Sequence, residues 1–259
     1  MVDTLMENRR IFLLGGQDLE MQTIEDVLRG NGIRFENRRL RWDNAVLSSY
    51  SDVIEEYAGN PEMTLYGVEL MEDVETPANY VRIDHHNDFA GRPSSLEQVM
   101  TVLGLPMSRR ERLIAANDAR YIPGMESLGA TPAEIEEIRL ADRRAQGVTE
   151  DDERAAELAV SRVSGDASTL YVVRTGIHKF SPICDRLYPY RSLLICNDSE
   201  FMFYGDGVSE LRALLSQEIS QKTVFFGGGD SGYIGCAAGK YTPSEIEEYI
   251  DRIKSTFSV

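Results

Sequence analysis

The feature that most constrains this chain is the run Tyr80-Val-Arg-Ile-Asp84-His85-His86-Asn87. An apolar strand ends there on an acid and two consecutive histidines, although the whole chain has only three histidines. In open α/β sheets ligands gather outside the carboxyl ends of the strands, so the pattern marks a metal or phosphate site. The alternative is a polar cap on a strand. The surroundings decide between them.

Upstream, Arg10-Ile-Phe-Leu-Leu14 is a short apolar strand leading into Gly15-Gly16-Gln17-Asp18 and a helical pattern of Leu19, Ile24, Val27 and Leu28. Strand, glycine turn and helix open a Rossmann-like unit, in which an anion can approach the helix amino end. Asp18 at this turn serves either as a metal ligand or as the helix N-cap. Further strands are expected over 33–40 and 63–70, the latter with Glu69 near its end, and a helix over 51–57. Strands separated by helices imply right-handed crossovers and a mostly parallel sheet. The strand ends then share one edge, where Asp18, Glu69 and Asp84 to His86 can meet.

Beyond the histidines, Arg92-Pro-Ser94-Ser95-Leu-Glu97 has the capping-box spacing. The amino end of that helix brings anion-binding amides at Ser94 and Ser95 beside the histidines, with Arg92 adjacent. The small-residue segment Ala115-Ala116-Asn117-Asp118-Ala-Arg120 permits close packing that directs Asp118 inward. The remainder predicts a second part: a helix from Glu150 to a hinge at Ser164-Gly165, then strands and helices up to Thr242-Pro243-Ser-Glu245, which opens a final amphipathic helix. Between them, Phe226-Gly227-Gly228-Gly229-Asp230 follows an apolar strand, and successive glycines let backbone amides approach a ligand. The third histidine, His178, reads as structural, and Trp42 as a core, interface or base-stacking residue.

Ile83-Asp84-His85-His86, Ser94-Ser95-x-Glu97, Ala115-Ala116-Asn117-Asp118, and a tail with Gly227-Gly228-Gly229-Asp230 and Cys236-Ala-Ala-Gly239 occur in this order. The chain thereby resembles the DHH phosphoesterase superfamily with its DHHA1 domain, which includes RecJ-type nucleases and oligoribonucleases. The resemblance implies an α/β fold with a mostly parallel DHH-like domain over 1–148, a connecting helix and hinge over 149–165, and a smaller DHHA1-like substrate-binding domain over 166–259. It further implies one metal site of Asp18, Glu69, His85 and Asp118, with Asp84 orienting a histidine. The first motif of the family is depleted here, since Leu14-Gly-Gly-Gln-Asp18 lacks its histidine and supplies one matching aspartate, and Asp230 stands where histidine is usual.

Carboxylates with imidazole suit Mn2+ or Mg2+, one or two ions, better than thiolate-loving metals. His86 or Arg120 would steady developing charge on a phosphoryl group. The expected activity is that of a metal-dependent phosphoesterase for a small phosphorylated substrate, such as a short oligonucleotide or nucleotide, held between the domains. A non-catalytic nucleotide- or partner-binding descendant, and pyrophosphatase or polyphosphatase chemistry, are the alternatives. A net charge of −16 opposes long nucleic acid. Three widely spaced cysteines argue against a disulfide frame, and the absence of a long apolar run or signal pattern leads to the expectation of a cytoplasmic protein without membrane partners, with a homodimer left open.

Overall fold

The computed structural model describes residues 9–41, 44–163, 169–228 and 232–257. The chain divides into two compact units, Met1–Gly147 and Val148–Val259. Among the described residues no helix is long and apolar enough to cross a membrane.

The first unit is built on four parallel strands in the order β2-β1-β3-β4, with β1 Arg10–Leu14, β2 Arg34–Asn37, β3 Thr64–Val68 and β4 Tyr80–Ile83. Alternation along β1 sorts its side chains. Ile11 and Leu13 join Leu47, Tyr50, Val53 and Leu65 in a core beneath the short helix α2, Ser51–Tyr57. Phe12 points the other way and stacks on Tyr66, its partner across the ladder, at 4.7 Å between ring centroids. On that side lie α1 Leu19–Gly30, α3 Ser95–Leu103, α4 Arg109–Ser127 and α5 Pro132–Ala145, with α1 packed against the other three. The helix starts follow capping chemistry: Asp18, Ser94, Ser108 and Thr131 each accept a backbone N–H in the first turn, and the last three form complete capping boxes.

Two glycines set the spacing of this sheet where the site will form. A Cβ on Gly67 of β3 would lie 2.0 Å from the Tyr80 hydroxyl, and one on Gly15 would lie 2.5 Å from the Glu69 carbonyl oxygen. Gly15 donates its N–H to Val68 O at 2.9 Å, so the turn after β1 is pressed against the end of β3. In α4 the helical path breaks at Arg120 and Tyr121, the latter at φ 55° and ψ −148°, ahead of Pro123. Gly124 then passes Ala116 so closely that a Cβ would meet its carbonyl oxygen at 2.2 Å.

The second unit has five strands ordered β5-β6-β7-β9-β8: β5 Tyr171–Arg174, β6 Ser192–Cys196, β7 Phe201–Gly205, β8 Val224–Gly227 and β9 Tyr233–Cys236. Only β5 and β6 run parallel; the other pairings are antiparallel. One face buries Phe201, Phe203 and Ile234 against α8 Val208–Leu214 and α10 Pro243–Thr256, with the short α9 Ser216–Ser220 alongside. The other buries Val173, Leu193 and Ile195 against α6 Glu150–Val160 and α7 Ser181–Leu187. Helix α6, read from the sequence as a connector, contributes Ala156 and Ala159 to this core and lies within the second unit. The expected hinge at Ser164-Gly165 and Trp42 lie outside the described residues. All three cysteines are free and buried. His178 makes a hydrogen bond through Nδ1 to Glu200, which also accepts from Asn197 Nδ2 at 3.1 Å.

The sequence pattern does not announce strand β9, because Tyr-Ile-Gly-Cys is short and carries a glycine. That glycine is required: a Cβ on Gly235 would sit 2.3 Å from Phe201 O on β7. Gly227 pairs with Tyr233 at one end of β9, and Ala237-Ala238-Gly239 follow its other end, so this strand separates the two glycine-bearing pieces of the tail. Gly228 has φ +73° and a Cβ there would lie 2.9 Å from Gly232 Cα. Gly228→Val is therefore expected to destabilise the protein by about 2–3 kcal/mol through left-handed backbone strain and this clash, measured by denaturant unfolding; an unchanged midpoint would show that the turn relaxes freely.

Candidate metal centre

Three of the four strand ends in the first unit, with one helix, deliver the parts of a cluster. The turn after β1 presents Asp18 and Glu20, β3 is followed by Glu69, β4 by Asp84-His85-His86, and α4 carries Asp118. One ligand atom from each of Glu69, His85, His86 and Asp118 lies within 4.8 Å of the others. His85 Nε2 is 2.7 Å from Asp118 Oδ2, 3.5 Å from Glu69 Oε1 and 3.6 Å from Glu20 Oε2. His86 Nε2 is 3.5 Å from the same Glu69 oxygen. Glu20 and Glu69 are 2 % and 7 % exposed and His85 6 %, so these charges face one another in a dry pocket.

Backbone geometry holds them there. Glu69 has φ 52° and Asn87 φ 49°, left-handed conformations that cost energy for residues with a side chain. Glu69 N donates to Ile83 O at 2.9 Å, which fixes the end of β3 to the end of β4. Asp84 Oδ1 accepts the His86 amide at 2.9 Å, and Gln98 Nε2 donates to Asp84 O at 3.1 Å, locking the dihistidine turn onto α3.

Burial and mutual contact shift the titration of Asp18, Glu20, Glu69, His85 and His86. Asp18 is raised well above the ordinary carboxyl range by burial, then by the charges of Asp118 and Glu69. Glu20 is raised to about 8, by burial first and then by Asp118. Burial also pushes on Glu69, yet the nearby imidazoles of His85 and His86, each 3.5 Å away, outweigh it and hold that carboxyl at about 2. For His85 burial favours the neutral ring, but Asp118, Glu20 and Glu69 together raise it to about 12. His86 is raised chiefly by Glu69.

The expected set and the observed set overlap with two differences. His86, expected to steady charge, stands among the clustered ligand atoms. Asp18, expected as a ligand, directs Oδ1 to the Met21 amide at 2.8 Å as the N-cap of α1 and lies beside the quartet. Ser94 and Ser95, expected to contact substrate, are fully buried, where they lower the carboxyls of Glu20 and Glu69 respectively. Arg120 is exposed at the break in α4 and makes no contact with the cluster among the described residues. Gly227 and Gly228 belong to the second unit, and Gly229 and Asp230 lie outside the described residues.

Glu20 is a member that the sequence does not single out. An acid in the first turn of a helix ordinarily answers the helix dipole at the surface, and only its place between buried Leu19 and Met21 hints otherwise. Its Oε1 accepts the Leu96 amide at 3.1 Å, tying α1 to the start of α3.

The donor set fits a divalent cation. Glu20 Oε2, Glu69 Oε1, His85 Nε2 and Asp118 Oδ2 are buried and make no hydrogen bond of acceptable geometry, although only 2.7 Å separates the last two. Buried polar atoms are nearly always satisfied. Atoms that converge without bonding one another lack a shared partner, and mixed carboxylate and imidazole donors match a hard to borderline ion.

No family model and no curated protein matches the chain. Among solved structures, a DHH-domain protein described as a member of a family of ribosomal proteins superposes with a TM-score of 0.52 at 12 % identity, covering 96 % of this chain and 86 % of the other. The chain shares its fold with that DHH-domain protein. An exonuclease RecJ bound to manganese gives a TM-score of 0.44 at 12 % identity, covering 98 % of this chain and 93 % of that one. RecJ from Thermus thermophilus in complex with Mg2+ gives 0.43 at 12 % identity, covering 98 % and 51 %. In this DHH fold the candidate centre lies at the carboxyl end of the parallel sheet.

The protonation states make a sign-definite prediction. At neutral pH the metal-free cluster holds a proton on His85, raised to about 12, and on Glu20, raised to about 8, whereas Glu69 at about 2 is already ionised. Cation binding must then expel protons, and apparent affinity must rise with pH. Manganese titration by calorimetry in two buffers of different ionisation enthalpy checks this; equal heats in both would refute it.

Proposed function

We propose that the chain is a divalent-metal-dependent phosphoesterase acting on a small phosphorylated substrate such as a short oligonucleotide or nucleotide. The observation that carries the reading is the convergence of four buried, hydrogen-bond-free ligand atoms from Glu20, Glu69, His85 and Asp118. The DHH-superfamily fold is compatible with it.

Glu69, His85, His86 and Asp118 would hold the ion, with Glu20 at its margin. Mn2+ or Mg2+ in such a set supplies Lewis acidity toward a phosphoryl oxygen and acidifies water. The protein's own part is to bury the ligand atoms and to fix the two imidazoles at the strand end. Next to the site, Arg92 supplies a positive charge for an anionic substrate. Its guanidinium lies 4.3 Å from the centre of the Phe89 ring, and Arg82, paired with Glu72 at 2.7 Å, approaches the same ring at 4.7 Å. Arg92 N donates to Phe89 O at 2.8 Å and Phe89 N to His86 O at 2.9 Å, so two successive bonds tie that arginine to the dihistidine turn. In a chain of net charge −16, an exposed arginine with no carboxylate partner among the described residues favours phosphate over a neutral ligand.

Elemental analysis and manganese titration of the native protein, His85→Ala and Asp118→Ala test the reading. Removing groups that merely support metal ligands costs about 10–100-fold in affinity, and loss of a direct ligand should cost more. The native protein is expected to bind the ion and to cleave bis(p-nitrophenyl) phosphate or 5′-phosphorylated dinucleotides only in its presence; absence of binding would overturn the proposal, and binding without cleavage would favour a non-hydrolytic nucleotide-binding role.

A further inference from the structure

A second buried ionic group lies on α5, which packs against α1 and α4. Arg139 and Asp142, one turn apart on α5, form an ion pair at 2.7 Å with side chains each 7 % exposed. Such i,i+3 pairs usually sit in water, where they contribute little. Here both charges face inward, and both reach beyond their own helix. Asp142 Oδ1 accepts the amide of Leu19 at 3.3 Å, and its Oδ2 accepts from Arg139 and from Gln146 Nε2 at 3.1 Å. Arg139 Nη1 also donates to Asn117 Oδ1 at 3.0 Å. Its guanidinium covers the Tyr121 ring at 4.6 Å.

The residues gripped in this way have specific neighbours. Leu19 stands between Asp18 and Glu20, and Asn117 immediately precedes Asp118. Tyr121, held at φ 55°, closes the break in α4 three residues after Asp118. One ion pair on α5 thus fixes the backbone that carries Glu20 and Asp18 and the turn that carries Asp118. Asp142 grips α1 at the Leu19 amide and Arg139 grips α4 at the Asn117 side chain, so the ion pair between them links the two helices that carry Glu20 and Asp118.

We propose that Arg139 and Asp142 are positioning residues of the metal centre, setting the distance between the α1 carboxylates and Asp118 through Leu19 and Asn117. The inference rests on the metal-centre reading above. It names a device outside the ligand set: among the described residues α5 supplies no ligand, yet it ties the helix turn of Asp118 to the helix start that carries Glu20 at the margin of the site.

The test must separate positioning from simple stability. A buried ion pair replaced by apolar side chains of similar volume is often neutral for folding. The double variant Arg139→Met/Asp142→Leu should therefore unfold at a denaturant midpoint near that of the native protein, while losing both grips. Manganese affinity, followed by calorimetry and by the electron paramagnetic resonance line shape of the bound ion, is expected to fall by about 10–100-fold with a broadened, less symmetric signal. Asp142→Asn, which keeps the acceptor for Leu19 but removes the counter-charge of Arg139, should fall in between and serves as the test if the double variant does not fold. Native-like affinity and line shape in a folded variant would overturn the positioning role while leaving the metal centre standing. Failure of the native protein itself to bind manganese would overturn both.

Discussion

Like charges brought together out of water govern this structure. Asp18, Glu20, Glu69 and Asp118 approach one another in a pocket where water cannot screen them, and the imidazoles of His85 and His86 are the nearest counterweight. Hydrophobic burial alone would never select such an arrangement, because each uncompensated buried charge is costly. The rest of the first unit is readable as what makes the cluster tolerable. A parallel sheet places three strand ends on one edge, Glu69 and Asn87 take left-handed backbone, and capped helices approach from one side. Strain of this kind persists where the surroundings over-determine a conformation.

The sequence is most informative where chemistry interrupts periodicity. Asp84-His85-His86 breaks an apolar run, and Asp118 ends a stretch of alanines; both positions stand out, and His85, His86 and Asp118 lie in the cluster. Parallel order among β1, β2 and β3 follows from alternation of strands with helices, whereas β3 and β4 are joined over 69–79 without one. Glu20 escapes notice because its position obeys the ordinary rule for a first helical turn. Arg139 and Asp142 escape for a similar reason, since an arginine and an acid three apart on a polar-looking helix describe a wet surface in most proteins. The strand β9 is hidden by its glycine, whose role is contact with Phe201 rather than flexibility. What local pattern does not reveal is therefore tertiary: which face of an ordinary helix or strand turns inward.

Charge acts on two scales. The chain as a whole carries 43 acidic against 27 basic residues, a balance that repels extended polyanions. Within it, arginine is placed locally and supported by aromatic rings: Arg92 and Arg82 on Phe89, Arg139 on Tyr121, Arg212 on Phe226 at 4.0 Å. Ring support holds a long side chain in place without neutralising it.

Tyr80 and Gly67 carry no chemistry of their own, yet their contact has a consequence for how the site can vary. The tyrosine hydroxyl occupies the volume where any side chain at position 67 would begin. The ladder between β3 and β4 fixes the gap between the strands, and the Tyr80 ring fills the space over Gly67 that this pairing leaves. Glu69 and His85 hang from the two strands on either side of that gap, two residues beyond each strand or fewer. A side chain at position 67 would have to displace the ring at the very strand from which His85 is hung, so an apolar contact inside the sheet bears on the spacing of two polar groups outside it.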